Sequence, residues 1–123
     1  MANPRFSVQV VARYLPEQSN PTQAYAFAYT VTIRNTGDIA AQLIARRWLI
    51  SDASGATQEV RGLGVVGHQP LLQPDEQFEY TSWTRIAAPR GQMQGSYFCM
   101  TEDARNFETT IEPFELSMAQ ALH

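Results

Sequence analysis

Hydrophobic and polar residues alternate along most of this chain. Phe6, Val8 and Val10 share one parity against Ser7 and Gln9, and the segment runs on to Leu15. That alternation marks a strand with one buried face. Residues 24–35 carry the pattern most strongly. Tyr25, Phe27, Tyr29, Val31 and Ile33 fall on one face, and Ala24, Ala26, Ala28, Thr30 and Thr32 on the other. Aromatic and β-branched residues at this spacing fit a pleated sheet packed on one side. In Ile39–Ser51, Arg46, Trp48 and Ile50 take one parity and Ala45, Arg47 and Leu49 the other. Trp48 is the expected inter-sheet core residue, because one indole buries about 200 Å². Shorter strands are predicted over Thr57–Arg61, Glu76–Arg85, Gln94–Thr101 and Phe107–Leu116. Pro113 places the last of these at an edge or a bulge.

The intervals between strands carry turn chemistry. Pro16–Pro21 reads as a loop, Asn35–Asp38 as a turn with Gly37 at positive φ, and Asp52–Gly55 as a second turn. Pro89–Gly91 marks a loop, and Glu102–Asn106 turns into the last strand. Residues 1–5 carry no pattern and read as a frayed end; residues 117–123 form a helical turn or stay loose. About seven short strands with almost no helical periodicity predict an all-β fold. The architecture is a single antiparallel β-sandwich of fibronectin type III or immunoglobulin-like form. One domain spans 1–123, with its core over about 6–116. Tyr97, two residues before Cys99, has the spacing of a tyrosine corner, and the lack of a second cysteine favours the fibronectin type III version.

Composition narrows the functional classes. The chain has 123 residues, 44% of them hydrophobic, and a formal net charge of -3. Clustered positive charge is missing, so nucleic acid is not an expected partner. The basic residues are all arginine. Without lysine there is no phosphate-loop lysine and no Schiff-base chemistry. A single cysteine suits a reducing compartment. No apolar run approaches the ~18 residues of a membrane span. The expectation is a cytoplasmic protein that is not inserted in a membrane.

Residues 61–70 contain a literal G-x-G-x-x-G at Gly62, Gly64 and Gly67. A dinucleotide-binding motif needs a helix opening at the last glycine. Here His68-Gln69-Pro70 follows, and Pro70 and Pro74 forbid that helix. Two readings stay open. The glycines form a bulge or bend where the chain changes sheets, or the Gly62–Gly67 amides make an anion nest with Arg61 or Arg47. His68 and His123 are the weak candidates for a metal, without ligand-like spacing to Cys99 or the carboxylates. Cys99 reads as a small core residue, and Glu102-Asp103 as a solvated acidic tip. Arg46 and Arg47 should leave β-structure on opposite faces, at least one of them lining a groove or running along the core edge with its stem buried. No catalytic set is visible and no cofactor is expected. An enzyme is therefore disfavoured. Open strand edges make protein partners the default, with a homodimer through an edge strand among them.

The segments Phe27–Gly37, Gln42-Leu43 with Arg47–Ile50, and Gly62–Pro70 resemble the ApaG family, also called CorD. Phe78–Ser82, Met93–Gly95 with Tyr97, and Ile111–Phe114 extend the resemblance from about Val8 to Leu116. It implies a fibronectin type III-like sandwich. Such proteins are often encoded beside the enzyme that hydrolyses diadenosine tetraphosphate, and they are associated with cobalt tolerance and magnesium efflux. The domain is also similar to a module in eukaryotic F-box and polymerase-δ-interacting proteins, where it resembles an interaction unit. The glycine motif of the family has prompted a pyrophosphate-binding idea.

Three positions depart from the family pattern. Trp83 stands where a small residue is expected, Asp75 replaces a glycine, and the Glu102–Asn106 turn lacks one. The reading that follows is a non-enzymatic interaction module with an unidentified protein partner. The alternative is a nucleotide or pyrophosphate binder that uses Gly62–Gly67.

Overall fold

The computed structural model describes residues 2–20 and 24–118. Eight strands occur: β1 (Phe6–Tyr14), β2 (Tyr25–Asn35), β3 (Ala41–Asp52), β4 (Thr57–Leu63), β5 (Leu71–Leu72), β6 (Gln77–Ile86), β7 (Arg90–Thr101) and β8 (Asn106–Ser117). A 3-10 turn at Pro16–Gln18 follows β1. All pairings are antiparallel. One sheet has the order β1-β2-β6; the other runs β4-β3-β7-β8, with β5 also pairing β3. The predicted sandwich is present. Its seven expected strands all occur, and the two-residue β5 is an addition that Pro70 and Pro74 conceal in the sequence.

Alternation places the core as expected. Phe27, Tyr29, Val31 and Ile33 of β2 are buried against Leu43, Trp48 and Ile50 of β3 and Met93, Tyr97 and Cys99 of β7. Trp48 is 2% exposed. Its ring packs edge-on against Tyr29, Tyr97 and Phe114 at centroid distances of 5.4, 6.4 and 6.0 Å. Strict alternation would set Leu43 and Trp48 on opposite faces. A register shift between Leu43 and Ala45 inserts Ile44 as a bulge and brings both into the core. Arg46 and Arg47 do take opposite faces, since Arg46 shares the parity of Trp48. Pro113 lies at the β7–β8 irregularity on an edge strand, as predicted.

Several local expectations are corrected. Asn3–Arg5 are not frayed. The Asn3 carbonyl accepts from Asp38 N–H at 3.2 Å, and the Arg5 carbonyl accepts from Thr36 and Gly37 N–H at 2.9 and 3.0 Å. Gly37 does not adopt positive φ. It is needed because a Cβ would stand 2.6 Å from the Arg5 nitrogen. The Tyr97 hydroxyl meets the Tyr80 hydroxyl across the sandwich, so the tyrosine-corner geometry is replaced by a core side-chain pair. Strand β7 begins at Arg90, within the expected loop, because Gly91 pairs with Asp52 at the end of β3. Most of the proposed tail at 117–123 lies outside the described residues.

Asn35 closes β2 and opens the predicted turn, and it is fully buried. Its Nδ2 donates to the Ile39 and Leu72 carbonyls, both at 2.9 Å, and its Oδ1 accepts from Gly37 N–H at 2.9 Å. One satisfied amide therefore joins the β2–β3 turn to β5 and fixes the far end of the glycine segment.

Candidate functional site

Strand β4 pairs with β3 from Ser51 to Ala45 and then leaves it at Leu63. The chain returns to the same edge of β3 at β5, where Leu71 and Leu72 pair with Gln42 and Ala41. Residues 64–70 therefore span the Ile44 bulge, and the bulge holds both ends of the span. The Ile44 carbonyl accepts from Gly64 N–H at 2.7 Å and from Gln69 Nε2 at 2.9 Å. Between them, Val65 and His68 exchange both backbone bonds at 2.8 and 2.9 Å. Val66 (φ 42) and Gly67 (φ 83) occupy the two central positions. Two consecutive left-handed residues make a type I′ hairpin turn. Gly67 adopts this geometry freely. Val66 does so against the usual preference of a β-branched residue.

The glycines thus have separate roles. Gly64 (φ 64) turns the chain away from β4. Gly62 faces Arg46 in the ladder, and a Cβ there would stand 2.8 Å from the Arg46 guanidinium carbon. That space lets Arg46 Nη1 donate to the Leu63 and Gly64 carbonyls at 3.0 and 2.9 Å. The amides of Gly62 and Gly64 are directed into strand pairing, while Gly67 stands at the tip of the turn. Val65 is fully buried and pins the turn to the core. The His68 ring lies on Phe78 of β6, 5.6 Å between centroids.

The sequence candidates therefore fall in two places. Gly64, Gly67 and His68 belong to the hairpin turn. Arg47, Arg61 and Gly62 line a groove of about 420 Å³ on the outer face of the larger sheet, with Ala45, Leu63, Phe98 and Glu108. Arg47 and Arg61 stand directly opposite each other in the β3–β4 ladder. Both engage Glu59, Arg47 Nε at 2.6 Å and Arg61 Nε at 3.3 Å. Their hydrogen bonds hold the Glu59 carboxyl below its usual range. A carboxylate of the chain already occupies the arginine pair. Exposed pairs of this kind contribute little, so an anionic group on another molecule can compete for them.

The floor beside these charges is apolar. Leu63, Ala45 and Phe98 form one row across β4, β3 and β7. Leu63 is 75% exposed and Phe98 38%. Val66 in the turn and Leu71 in β5 are also exposed, at 51% and 56%. Sequence reading did not single out Glu59, Leu63 or Phe98. The parity of β4 was the available signal, since Glu59, Arg61 and Leu63 share a face, but the glycine motif masked the strand's last two residues.

Other candidates sit apart. Cys99 is fully buried, 3.8 Å from the Thr109 hydroxyl, and burial pushes its thiol up to about 12. The Glu102-Asp103 tip is a tight turn in which Thr101 and Arg105 bond to Asp103 and lower its pKa. Among the described residues, no three His, Cys, Asp or Glu side chains gather as metal ligands. His123 lies outside those residues. No helix among them is long and apolar enough to cross a membrane.

Comparison with known proteins connects this arrangement to a family. The ApaG domain profile matches residues 16–101. A Protein ApaG from Ralstonia nicotianae is 58% identical over 124 residues, covering 100% of both chains. One from Methylobacillus flagellatus is 55% identical, covering 96% of this chain and 94% of its own. The crystal structure of a Bordetella pertussis protein superposes with a TM-score of 0.92 at 51% identity, over 96% of this chain and 97% of that one.

Proposed function

The chain belongs to the ApaG domain family, and from that premise we propose that it is a non-enzymatic interaction module. The carrying observation is the exposed apolar pair Leu63 and Phe98, in one row with Ala45 and beside the open edge of β4. Large exposed apolar side chains grouped on one face favour contact with another protein. The unpaired N–H and C=O groups of β4 add a way to receive an extended segment. The partner places apolar side chains on Leu63 and Phe98 and a carboxylate against Arg47 or Arg61. The core nucleophile works against an enzymatic reading, because the Cys99 thiol is enclosed and held protonated.

The resemblance to ApaG and CorD proteins adds an association with cobalt tolerance and magnesium efflux. In this reading the module influences divalent cations indirectly, through its protein partner, and acts in the cytoplasm. Co-purification at native abundance tests it: a specific partner is expected, and the recovery of none would sink the reading.

A second reading has one observation in its favour. Arg47 and Arg61 face each other beside Gly62 at a groove. A nucleotide or pyrophosphate displacing Glu59 would meet two guanidinium groups. Calorimetry with ATP, GTP, pyrophosphate and diadenosine tetraphosphate distinguishes the two; no heat at millimolar ligand ends this second reading.

A further inference from the structure

The sandwich leaves open edges of unequal quality. Strands β1 and β8 approach each other at one corner, where the Phe6 and Phe107 rings are 5.4 Å apart, and β8 is interrupted at Pro113. The edge formed by β4 and β5 is broken by the glycine loop. Strand β6 differs. It runs unbroken from Gln77 to Ile86 without proline, glycine or lysine, and among the described residues it pairs only with β2. Natural edges are normally blunted by proline, bulges or charge. Strand β6 has no proline or bulge, and its charges, Glu79 and Arg85, are of opposite sign.

Backbone bonding shows which groups are free. Asn35 N–H donates to the Glu76 carbonyl at 2.9 Å, next to the first β2–β6 pair. Antiparallel alternation then directs the even-numbered residues of β6 toward β2. The N–H and C=O groups of Glu79, Thr81, Trp83 and Arg85 point away from the sheet. Their side chains lie on its outer face. Trp83 is 58% exposed, with the Arg85 guanidinium over its ring at 5.1 Å. Glu79 accepts from the Thr32 hydroxyl at 3.1 Å. Neither Glu79 nor Arg85 has an ion-pair partner among the described residues.

We propose that β6 pairs with β6 of a second copy of this chain, antiparallel about a two-fold axis at Ser82. In that register Glu79 of each copy faces the partner's Arg85, and Thr81 faces the partner's Trp83. Symmetry forms each contact twice. Opposite charges directly across an antiparallel pair stabilise it, and like charges oppose it. The register is selective. An axis at Thr81 would set Arg85 against Gln77, and an axis at Trp83 would set Arg85 against Thr81. On the inner face Phe78 meets the partner's Ile86 and Tyr80 meets the partner's Thr84, so the apolar seam continues across the junction. The two three-stranded sheets become one of six strands. A net charge of -3 per copy leaves little self-repulsion to overcome. This inference is independent of the interaction-module reading, which uses the opposite sheet.

Sedimentation of the full chain over a concentration series tests it. The wild type is expected to dimerise reversibly, with a blue shift of Trp83 emission, Trp48 being buried already. Glu79→Arg and Arg85→Glu should each weaken self-association by about tenfold or more, since each places like charges opposite one another twice. Mixing the two single variants should restore association, because every charged pair is then complementary. The double variant Glu79→Arg/Arg85→Glu should restore it as well. Circular dichroism checks that each variant is folded. A wild type that stays monomeric into the millimolar range would overturn the proposal. So would single variants that dimerise as well as the wild type, or a mixture no tighter than its components.

Discussion

The hydroxyls of Tyr80 and Tyr97 stand 2.5 Å apart inside the core, one contributed by each sheet. Both side chains are buried, and Trp48 packs edge-on against Tyr97. This pair is the polar link between the two layers at their centre. Tyr97→Phe leaves the Tyr80 hydroxyl without this partner and should cost about 1–3 kcal/mol, the penalty of an unsatisfied buried polar group. Tyr80→Phe should cost a similar amount. The double variant should cost less than the two singles together. A double-mutant cycle in urea measures the difference.

The same cluster predicts alkaline lability. Burial raises Tyr97, Tyr80 and Tyr29 above their ordinary value of 10.0, and raises Cys99 from 9.0 to about 12. In the unfolded chain these groups lose their protons at their ordinary values, while the folded chain retains them. The folded state then binds more protons, and stability falls as pH rises. Below pH 9 this contribution is intact. Each group should remove about 1.4 kcal/mol per pH unit from its own ordinary value upward, Cys99 from 9.0 and the tyrosines from 10.0, until its folded pKa is reached. Urea midpoints between pH 7 and 11 check the onset, and Cys99→Ala should move it toward the tyrosine range.

The sandwich was legible because alternation needs no tertiary information where a strand has one wet face. Phe6–Val10 and Tyr25–Ile33 show this directly. Alternation fails where a bulge changes phase: Leu43 and Trp48 share the core only through Ile44, which leaves no mark in the sequence. The glycine segment was legible in what it is not, since His68-Gln69-Pro70 excludes the phosphate-binding helix. Its actual form, a hairpin turn hung from the Ile44 carbonyl, depends on a strand distant in sequence. The groove was hidden for a related reason. Arg61 and Arg47 are separate candidates in the sequence; the β3–β4 register sets them opposite each other, and the β3–β7 register adds Phe98, neither of which spacing alone gives.

Two departures from the family pattern coincide with left-handed backbone. Asp75 (φ 74) replaces an expected glycine, and Ala104 (φ 64) lies in the turn that lacks one. An L-residue there carries about 1–2 kcal/mol of local strain. Ala104→Gly should therefore stabilise the protein by about 0.5–1 kcal/mol after the entropy of glycine is subtracted. Asp75→Gly should gain less, because aspartate tolerates this region better and the substitution removes the 3.2 Å contact with Arg34. Thermal unfolding of the two variants ranks them.

Gly62 and Arg46 form one device. The guanidinium fills the space that the missing Cβ leaves and holds the Leu63 and Gly64 carbonyls. Gly62→Ala should displace it and cost about 1–2 kcal/mol, and Arg46→Ala should cost about the same. Because both remove the same bonds, the double variant should be little worse than either single. Full additivity in urea unfolding would separate the two residues.

Docking of another protein on the Leu63–Phe98 face is tested by quantitative co-purification from cells that express the tagged chain at native abundance. Wild type is compared with Leu63→Glu and Phe98→Glu, both confirmed as folded. A specific partner should be recovered with the wild type and lost, by about tenfold or more, with each variant. Recovery of no specific partner, or of the same partner equally well by all three chains, would contradict it.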